Sequence, residues 1–436
     1  MNRRTFIFTS GAALAAASSL RAAGANDRIR MAVIGLHGRG REHMDIYGRQ
    51  KDATVAAVCD IDTAQIERAV QQVQKAQGDK PKTYQDIRGL LDDKSIDAIS
   101  IATCNHWHAL AAIWACQAGK DVYVEKPASH NIFEGRRMVD AARKYGRIVQ
   151  VGMQSRTTGH KIRAIELLRQ GVIGKVYLAK GLCFKRRTSI GKQPDGAVPP
   201  GVDYNIWLGP APERPFNPNR FLYNWHWFWD YGNGDIGNQG VHEMDIARWG
   251  LGKNTLPSTA YSSGGKFIYD DDQETPNTQL ATFDYGDSQL VFEVRGLRTG
   301  TESGMAPEPG SMNCIGNIFF GSEGFMTVDY RDFKVYLGEK RELAQEMKYT
   351  EPKGWDTAPH MQNFLKAVRS RKHTDLTSDI LEGHLSAALC HLANISYRTG
   401  RKLRFDPATE TFGNDREANQ YLSRKYRAPF VVPEKV

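Results

Sequence analysis

Strand-like and helix-like patterns alternate along the first third of the chain. An apolar run at residues 29–34 is followed by a Gly-rich turn and by a helical pattern that extends to about residue 49. Further strands are predicted at 54–59, 96–103, 121–125 and 148–151, with helical patterns at 63–77, 106–118 and 132–145 between them. Strands that alternate with helices favour right-handed crossovers, so we predict a parallel, doubly wound sheet.

The pattern changes after about residue 156. A helix at 160–169 and a strand at 176–184 lead into a stretch rich in proline and aromatic residues, 194–230, and then into a helix at 238–249. Strand-like segments then recur up to residue 337, with a hairpin around Gly286-Asp287, before helices at 358–370 and 380–399 and an extended tail. The predicted fold class is α/β, with a doubly wound domain at 26–155 and, at 156–436, an α+β domain with an open, mostly antiparallel sheet.

The first 25 residues have the composition of an export signal. Paired arginines, Arg3 and Arg4, precede an alanine-rich apolar run at 6–20, and small residues follow at 23–25. This combination is typical of a twin-arginine signal peptide, and the run is too short and too alanine-rich for a membrane span. We predict export by the twin-arginine machinery to the periplasm or beyond, with no membrane insertion.

Composition adds mainly exclusions. The 436 residues are 41% hydrophobic and 25% charged, which is ordinary for a globular protein, and the formal net charge of +9 is not gathered into long basic runs. The sequence has no nucleic-acid-binding signature, and its His and Asp residues show no metal-ligand spacing. The six cysteines lack CxxC spacing and lie in apolar patterns, as expected of a protein that folds in the reducing cytoplasm before export.

The turn after the first strand has the composition of a dinucleotide-binding loop. Gly35, Gly38 and Gly40 would permit a tight turn and a close approach of the backbone to a pyrophosphate. His37 stands where the middle glycine usually lies, and Arg39 follows it. The next helix would present its free N–H groups to the phosphates. We therefore interpret the first domain as a Rossmann domain.

A carboxylate closes the second strand at the position that selects the cofactor. Asp60 lies 20 residues past Gly40, where it can accept hydrogen bonds from the ribose hydroxyls. Because a carboxylate repels a 2′-phosphate, Asp60 favours NAD over NADP.

Three later segments resemble the Gfo/Idh/MocA oxidoreductase family. They are residues 102–108 (ATCNHWH), 123–127 (YVEKP) and 232–245 (GNGDIGNQGVHEMD). The resemblance covers the cofactor domain and reaches into the second domain. It implies a substrate that lies between the nicotinamide and the open sheet.

The resemblance also implies roles for individual residues. Lys126, at the carboxyl end of a strand, would stabilise the developing alkoxide, and His242 would take the proton as hydride leaves carbon. The residues expected to border the cofactor are Thr103, Asn105, His108, Glu125 and Lys126, with Asn105 and His108 at the nicotinamide ribose.

One position departs from the family pattern. Many relatives carry Asp four residues before the histidine, and here that residue is Asn238. At i and i+4 the two side chains would share a helix face, so we expect Asn238 to hydrogen-bond substrate or His242. An amide cannot take a proton, and Asp245 or Asp235 are candidates for that task.

Large aromatic residues stand beside polar groups at 223–230, just before the predicted catalytic helix. Trp225 and Trp227 could form a platform for the C–H face of a sugar ring. A hydrophobic plug between the domains explains the same residues equally well.

These features imply an NAD-dependent oxidoreductase that acts on CH–OH groups of a sugar-like molecule. Because an exported enzyme has no obvious pool of free NAD, we expect it to keep its cofactor bound and regenerate it in each cycle. One alternative is net glycoside hydrolysis by transient oxidation, elimination, hydration and reduction. Another is a non-catalytic sugar-binding protein on a degenerate fold. An exposed sheet face would make a homo-oligomer reasonable.

Overall fold

The computed structural model describes residues 28–308, 310–348 and 357–436, so the predicted signal peptide lies outside the described residues. The first sheet has six parallel strands in the order β3-β2-β1-β4-β5-β6. Its elements are β1 (Ile29–Ile34), α1 (Gly38–Arg49), β2 (Ala53–Cys59), α2 (Thr63–Gln77), β3 (Lys82–Tyr84), α3 (Ile87–Asp92), β4 (Ala98–Ile101), α4 (Asn105–Gln117), β5 (Asp121–Val124), α5 (Ile132–Lys144) and β6 (Val149–Val151). The predicted doubly wound parallel sheet is confirmed.

The pair β3 and α3 was not predicted, and its composition explains why. The three residues of β3 are exposed or half-buried, so they carry no apolar run. By contrast, β4 and β5 are buried along their whole length, as expected of central strands covered by helices on both faces.

The second sheet has nine strands and is mixed. Its order is β14-β13-β12-β11-β7-β10-β9-β8-β15, and only β7 and β10 run parallel. The elements after β6 are α6 (Gly159–Arg169), β7 (Val176–Phe184), α7 (Tyr204–Leu208), α8 (Gly234–Asn238), α9 (Gly240–Gly250), β8 (Thr259–Gly265), β9 (Thr278–Asp284), β10 (Gln289–Arg295), β11 (Cys314–Gly321), β12 (Gly324–Asp329), β13 (Asp332–Leu337), β14 (Glu342–Lys348), α10 (Thr357–Ser370), α11 (Ile380–Thr399), β15 (Leu403–Arg404) and α12 (Arg416–Asn419). The predicted open, mostly antiparallel sheet is confirmed.

Two details of the second half differ from the sequence pattern. The tail expected to be extended contains β15 and α12. The helix α10 packs its apolar face, including Met361, Phe364 and Leu365, into the core beneath the first sheet. A late segment of the chain therefore completes the core of the cofactor domain.

Helix α9 lies across the middle of the second sheet. It comes so close to β7 that a Cβ atom at Gly181 would lie 3.1 Å from the Cβ of Glu243. A Cβ at Gly240 would lie 2.4 Å from the ring of Phe292. These contacts hold the first turn of α9 against the sheet and fix where its side chains point. Within the described part of the chain, no helix is long and apolar enough to cross a membrane.

Candidate functional site

The Gly-rich turn packs as a dinucleotide loop requires. Gly35 has φ +83°, and a Cβ there would lie 2.6 Å from the carbonyl oxygen of Ala102. A Cβ at Gly40 would lie 1.8 Å from the carbonyl oxygen of Gly35. A Cβ at Gly38, where α1 begins, would meet nothing within 4 Å. Two glycines are therefore required by packing, and the third leaves space at a helix N-terminus, where a phosphate is stabilised.

Beside this turn lies a largely apolar cavity of about 150 Å³, which we call the cofactor cavity. Asp60 lines it, and its carboxylate accepts hydrogen bonds from the N–H groups of Leu36 at 2.6 Å and Asp62 at 3.0 Å. These bonds fix the orientation of the carboxylate, while burial raises its pKa. Of the other predicted cofactor residues, those that also line the cavity are Gly35, His37 and Thr103.

Glu125 is the centre of a buried hydrogen-bond network. Its carboxylate accepts from Arg39 Nε at 2.8 Å and Gln154 Nε2 at 3.3 Å, and it lies 3.1 Å from His43 Nε2. Its other oxygen accepts the main-chain N–H of Lys126 at 3.2 Å. The charge of Arg39 and the contact with His43 outweigh burial and hold the pKa of Glu125 well below its usual range. Glu125 and Arg39 thus position the Lys126 segment, a role that the family pattern alone did not reveal.

Lys126 reaches from the first domain to the start of the second-domain helices. Its Nζ donates to the main-chain oxygen of Asn238 at 2.6 Å and lies 3.4 Å from the Asn238 side-chain oxygen. Burial lowers the pKa of Lys126, against the opposing charge of Glu125. Burial and the charge of Lys126 lower the pKa of His242 to about 3, so its imidazole is neutral at physiological pH. A cation and a neutral base therefore lie at the junction of the two domains.

The expectation that Asn238 and His242 share one helix is wrong. Helix α8 ends at Asn238 and α9 begins at Gly240, so the helix is interrupted at Gln239. Asn238 uses its oxygens to hold Lys126 instead of pairing with His242. The glycines on both sides of Asn238 lower the helix propensity of this stretch, and the helical spacing of the sequence concealed the break.

Asp245, predicted as a substrate contact and a candidate proton acceptor, is buried and bound by other side chains. Its carboxylate accepts from Arg156 at 2.8 and 2.9 Å and from Ser386 Oγ at 2.7 Å. Arg156 and Arg248 both bind Glu382 as well, which completes a buried ion network between α9 and α11. Asp235 is likewise engaged, by Arg187 at 2.6 and 2.9 Å. Both carboxylates are therefore held in buried ion pairs, and the structure assigns neither of them to the substrate.

His108 and Asn105 are more deeply placed than expected. The ring nitrogens of His108 lie 2.7 Å from the carbonyl oxygen of Pro127 and 3.1 Å from that of Thr103. Asn105 is 2% exposed and donates to Asn233 Oδ1 at 3.2 Å. These contacts tie the loops that carry Thr103 and Lys126 together, so the geometry favours positioning roles over direct contact with the nicotinamide ribose.

The two tryptophans predicted for substrate binding, Trp225 and Trp227, lie in different environments. Trp227 is 3% exposed and packs in an aromatic cluster, with the Arg187 guanidinium 5.1 Å from its ring centre, so it belongs to the hydrophobic plug. Trp225 stacks on His226, with ring centres 3.6 Å apart, and lines the cofactor cavity. Neither ring lines the cavity next to His242.

That second cavity, of about 160 Å³, lies between α9 and strands β11 and β12, and we call it the polar cavity. His242 and Gln154 line it, and Gln154 connects it to Glu125 by a hydrogen bond. Sequence reasoning missed its other polar residues, which include Lys161, Glu243, Asn317 and Asp329. An Asn inside an apolar strand run and a Glu directly after the key histidine were the available signals. The described residues contain no cluster of His, Cys, Asp and Glu that could hold a metal ion.

The fold and the junction define a two-domain, nucleotide-dependent oxidoreductase architecture. The family model for the NAD-binding Rossmann fold of the Gfo/Idh/MocA oxidoreductases matches residues 29–153. The model for the C-terminal alpha/beta domain of that oxidoreductase family matches residues 166–273 and 322–432. The chain belongs to the Gfo/Idh/MocA oxidoreductase family.

The curated relatives that the chain matches include glycosyl hydrolase family 109 proteins. A "Glycosyl hydrolase family 109 protein 1" from Shewanella sp. (strain ANA-3) is 29% identical over 152 residues, which span 34% of this chain and 33% of that protein. The match to this curated relative therefore covers only about a third of its length.

Solved structures resemble the chain over most of its length. The WlbA dehydrogenase from Bordetella pertussis, in complex with NADH and UDP-GlcNAcA, has a TM-score of 0.63 at 19% identity, covering 87% of this chain and 99% of that one. A levoglucosan dehydrogenase in complex with NADH and L-sorbose has a TM-score of 0.66 at 16% identity, covering 87% and 99%. At these identities the likeness establishes the fold.

Proposed function

We propose that the protein is an exported NAD-dependent oxidoreductase that acts on a CH–OH group of a sugar or sugar-like polyol. The observation that carries the proposal is the junction of Lys126, Asn238 and His242. Lys126 follows β5 at the carboxyl edge of the parallel sheet, where such folds bind ligands, and His242 lines the polar cavity. The sugar complexes among the structural neighbours support a carbohydrate substrate.

The residues present fit a dinucleotide. Gly38 leaves room for phosphate at the start of α1, and the Asp60 carboxylate suits the ribose hydroxyls of NAD better than the 2′-phosphate of NADP. NAD, when bound, accepts the hydride that leaves the substrate carbon. We expect the adenosine half to lie in the cofactor cavity.

The protein's own groups handle the charge and the proton. Lys126 presents a cation, held by Asn238, to the oxygen on which negative charge develops. His242 is neutral, because burial and the charge of Lys126 lower its pKa to about 3. Negative charge that develops on the substrate oxygen beside Lys126 would offset that cation and raise the pKa of His242, so that it can accept the hydroxyl proton. Asn238 contributes by orienting Lys126, which is compatible with an amide in place of the carboxylate that many relatives have.

A segment of the second half supports retention of the cofactor. Residues 199–231, which we call the cover segment, bind the first domain through main-chain atoms: Thr63 N–H donates to Gly201 O at 3.1 Å and Trp107 Nε1–H to Ile206 O at 2.9 Å. Trp207, Phe221 and Trp225 of the segment line the cofactor cavity. The cover segment therefore forms one wall of the cavity, and its aromatic rings would contact a bound dinucleotide and slow its release, which favours a cofactor regenerated in place.

The sequence supports export, although the signal lies outside the described residues. The paired arginines and the apolar run at 6–20 favour the twin-arginine machinery, which carries folded proteins and so permits export with NAD already bound. On this proposal the protein acts in the periplasm or outside the cell.

A second function is favoured by the likeness to glycosyl hydrolase family 109 proteins. In that reaction a carbinol is oxidised, the neighbouring C–H loses a proton, the glycosidic substituent departs, water adds, and the ketone is reduced again. Glycoside cleavage then occurs with no net NADH. A retained cofactor is compatible with this cycle, and equally with oxidation of one sugar followed by reduction of a second.

Isotopes separate the two functions. We would incubate the NAD-loaded protein with sugars and aryl glycosides deuterated at each carbinol carbon in turn, and quench the protein after a single turnover. Oxidoreduction predicts deuterium in the bound nucleotide and a keto product, with no aglycone. Cleavage by elimination predicts released aglycone and, in deuterated water, solvent deuterium at the carbon next to the oxidised one. Loaded protein that transfers no label from any of these substrates would contradict both functions.

A further inference from the structure

The polar cavity contains two buried polar atoms that lack partners. Glu243 is 4% exposed; its Oε1 accepts from Gln239 Nε2 at 3.2 Å, and its Oε2 has no hydrogen-bond partner among the described residues. Asn317 is fully buried, and its Oδ1 is likewise without a partner in the described ranges. Buried polar atoms are nearly always paired, so two beside one cavity point to a ligand.

The chemistry of these atoms specifies what the ligand must offer. Asn317 Nδ2 donates to the main-chain oxygen of Glu243 at 2.7 Å, which fixes the amide so that Oδ1, an acceptor only, is left over. Burial raises the pKa of Glu243 to about 8, so at neutral pH its carboxyl is mostly protonated and can donate or accept. A group that both donates and accepts, such as a hydroxyl, satisfies both atoms.

The charges around the cavity disfavour an anion. The carboxylates of Glu308 and Asp329 line it against one cation, Lys161, and the carboxyl of Glu243 is mostly neutral. Lys161 donates to Ser155 Oγ at 2.9 Å, and Asp329 accepts from three main-chain N–H groups of the surrounding loops. A carboxylate ligand would bring no donor for Asn317 Oδ1 and would lie near the acidic groups.

We propose that Glu243 and Asn317 form the hydroxyl-binding floor of the sugar site and that this floor selects neutral pyranoses against uronic acids. The inference rests on the proposed function, because it concerns the substrate of the same junction. His242 lines the same cavity, so a ring on this floor has its reacting hydroxyl beside the base.

The test uses matched ligands that differ only at one carbon. Methyl glucoside and methyl galactoside are compared with the corresponding methyl uronides, by calorimetric titration of protein loaded with NADH, in which an alcohol cannot react. Each neutral glycoside should bind at least about tenfold more tightly than its uronide, the effect of one well-placed hydrogen bond together with charge repulsion. Equal or tighter binding of the uronides would overturn the proposal, as would failure of both neutral glycosides to bind.

Variants of Glu243 test whether its side chain binds the sugar directly. Glu243→Ala should weaken neutral binding about tenfold, whereas Glu243→Gln, which keeps the shape and hydrogen-bonding capacity, should stay within about threefold of the parent. Glu166→Gln removes an exposed carboxylate from α6 and is the matched control. Unchanged binding by folded Glu243→Ala protein would refute the role of Glu243. Protein that cannot be loaded with nucleotide would refute the proposed function instead, so the two failures are distinguishable.

Discussion

The cofactor cavity and the polar cavity differ in whether their polar groups already have hydrogen-bond partners. In the cofactor cavity the polar group that matters, Asp60, already has its main-chain partners, and the walls are aromatic and aliphatic. In the polar cavity Glu243 and Asn317 each keep one buried atom without a partner among the described residues. We therefore expect the first cavity to hold a ligand mainly by apolar contacts and the second by hydrogen bonds that a ligand completes.

This difference has consequences for function. A cavity whose own groups are satisfied can stay closed around a resident cofactor through many turnovers. A cavity with unsatisfied groups is costly when empty and is stabilised each time a substrate enters. Lys126 and His242 lie at the junction of the two domains, and His242 lines the polar cavity, so changes there should affect chemistry more than the retention of the cofactor.

The largest expected effect is at Lys126. Lys126→Met should lower the rate of hydride transfer by about 10²- to 10³-fold, because the developing alkoxide loses its cation. Nucleotide content should change much less, and stopped-flow absorbance with acid release measures both. Lys175→Met, at an exposed lysine, is the control. A loss of nucleotide equal to the loss of rate would mean that Lys126 serves only to bind the cofactor.

The next effect is at His242. His242→Ala should slow the chemical step about 10²-fold, since proton transfer by a positioned base contributes on that order, and added imidazole should restore part of the rate. His373→Ala, at an exposed histidine, should leave the rate unchanged. An unaltered rate in folded His242→Ala protein would mean that another group takes the proton.

A smaller effect is expected at the cover segment. Trp225→Ala should raise the dissociation rate of NAD about tenfold, because an aromatic face against the ligand contributes roughly 1–3 kcal/mol in comparable sites. Trp229→Ala is the matched control, since Trp229 lies nearby in the chain but lines a different cavity. Equal dissociation rates in both variants would contradict a contact between Trp225 and the bound cofactor.

The smallest effect concerns pH and the polar cavity. The pKa of Glu243 is raised to about 8 in the folded state, so the folded chain keeps a proton that the unfolded chain loses above about pH 4.5. The stability contributed by that proton falls as pH rises from about 4.5 through 8. Glu243→Gln should therefore gain a few degrees in Tm relative to the parent protein between pH 5 and pH 9, measured by calorimetry. A constant difference across that range would mean that Glu243 is ionised throughout.

Periodicity and turn chemistry made most of the fold predictable. Local pattern predicts the Gly-rich turn, the strand ends at Asp60 and Lys126, and helix α11. The alternation of strands and helices predicts that the first sheet is parallel and doubly wound. What local pattern cannot supply is the partner of a charged side chain. Asp245 had the right position relative to His242, but Arg156, which binds it, lies 89 residues earlier in the chain.

The site was predictable where a motif carried it and unpredictable where tertiary contacts decided. Lys126 and His242 were found by resemblance, and the structure places both at the domain junction. Glu243 was missed because a Glu in a helix is usually exposed, and only the close approach of α9 to Gly181 buries it. The sequence did not predict the whole lining of the cofactor cavity, because one wall comes from the cover segment, more than 100 residues after the Gly-rich turn.

The most direct test of this account is the nucleotide content of the protein purified without added cofactor. Acid release followed by chromatography should yield about one NAD(H) per chain, retained through dialysis, because the cover segment forms one wall of the cofactor cavity and would contact the bound nucleotide. Protein that is empty and that also fails to bind added NAD or NADP would contradict the central claim that a resident dinucleotide performs the chemistry at Lys126 and His242.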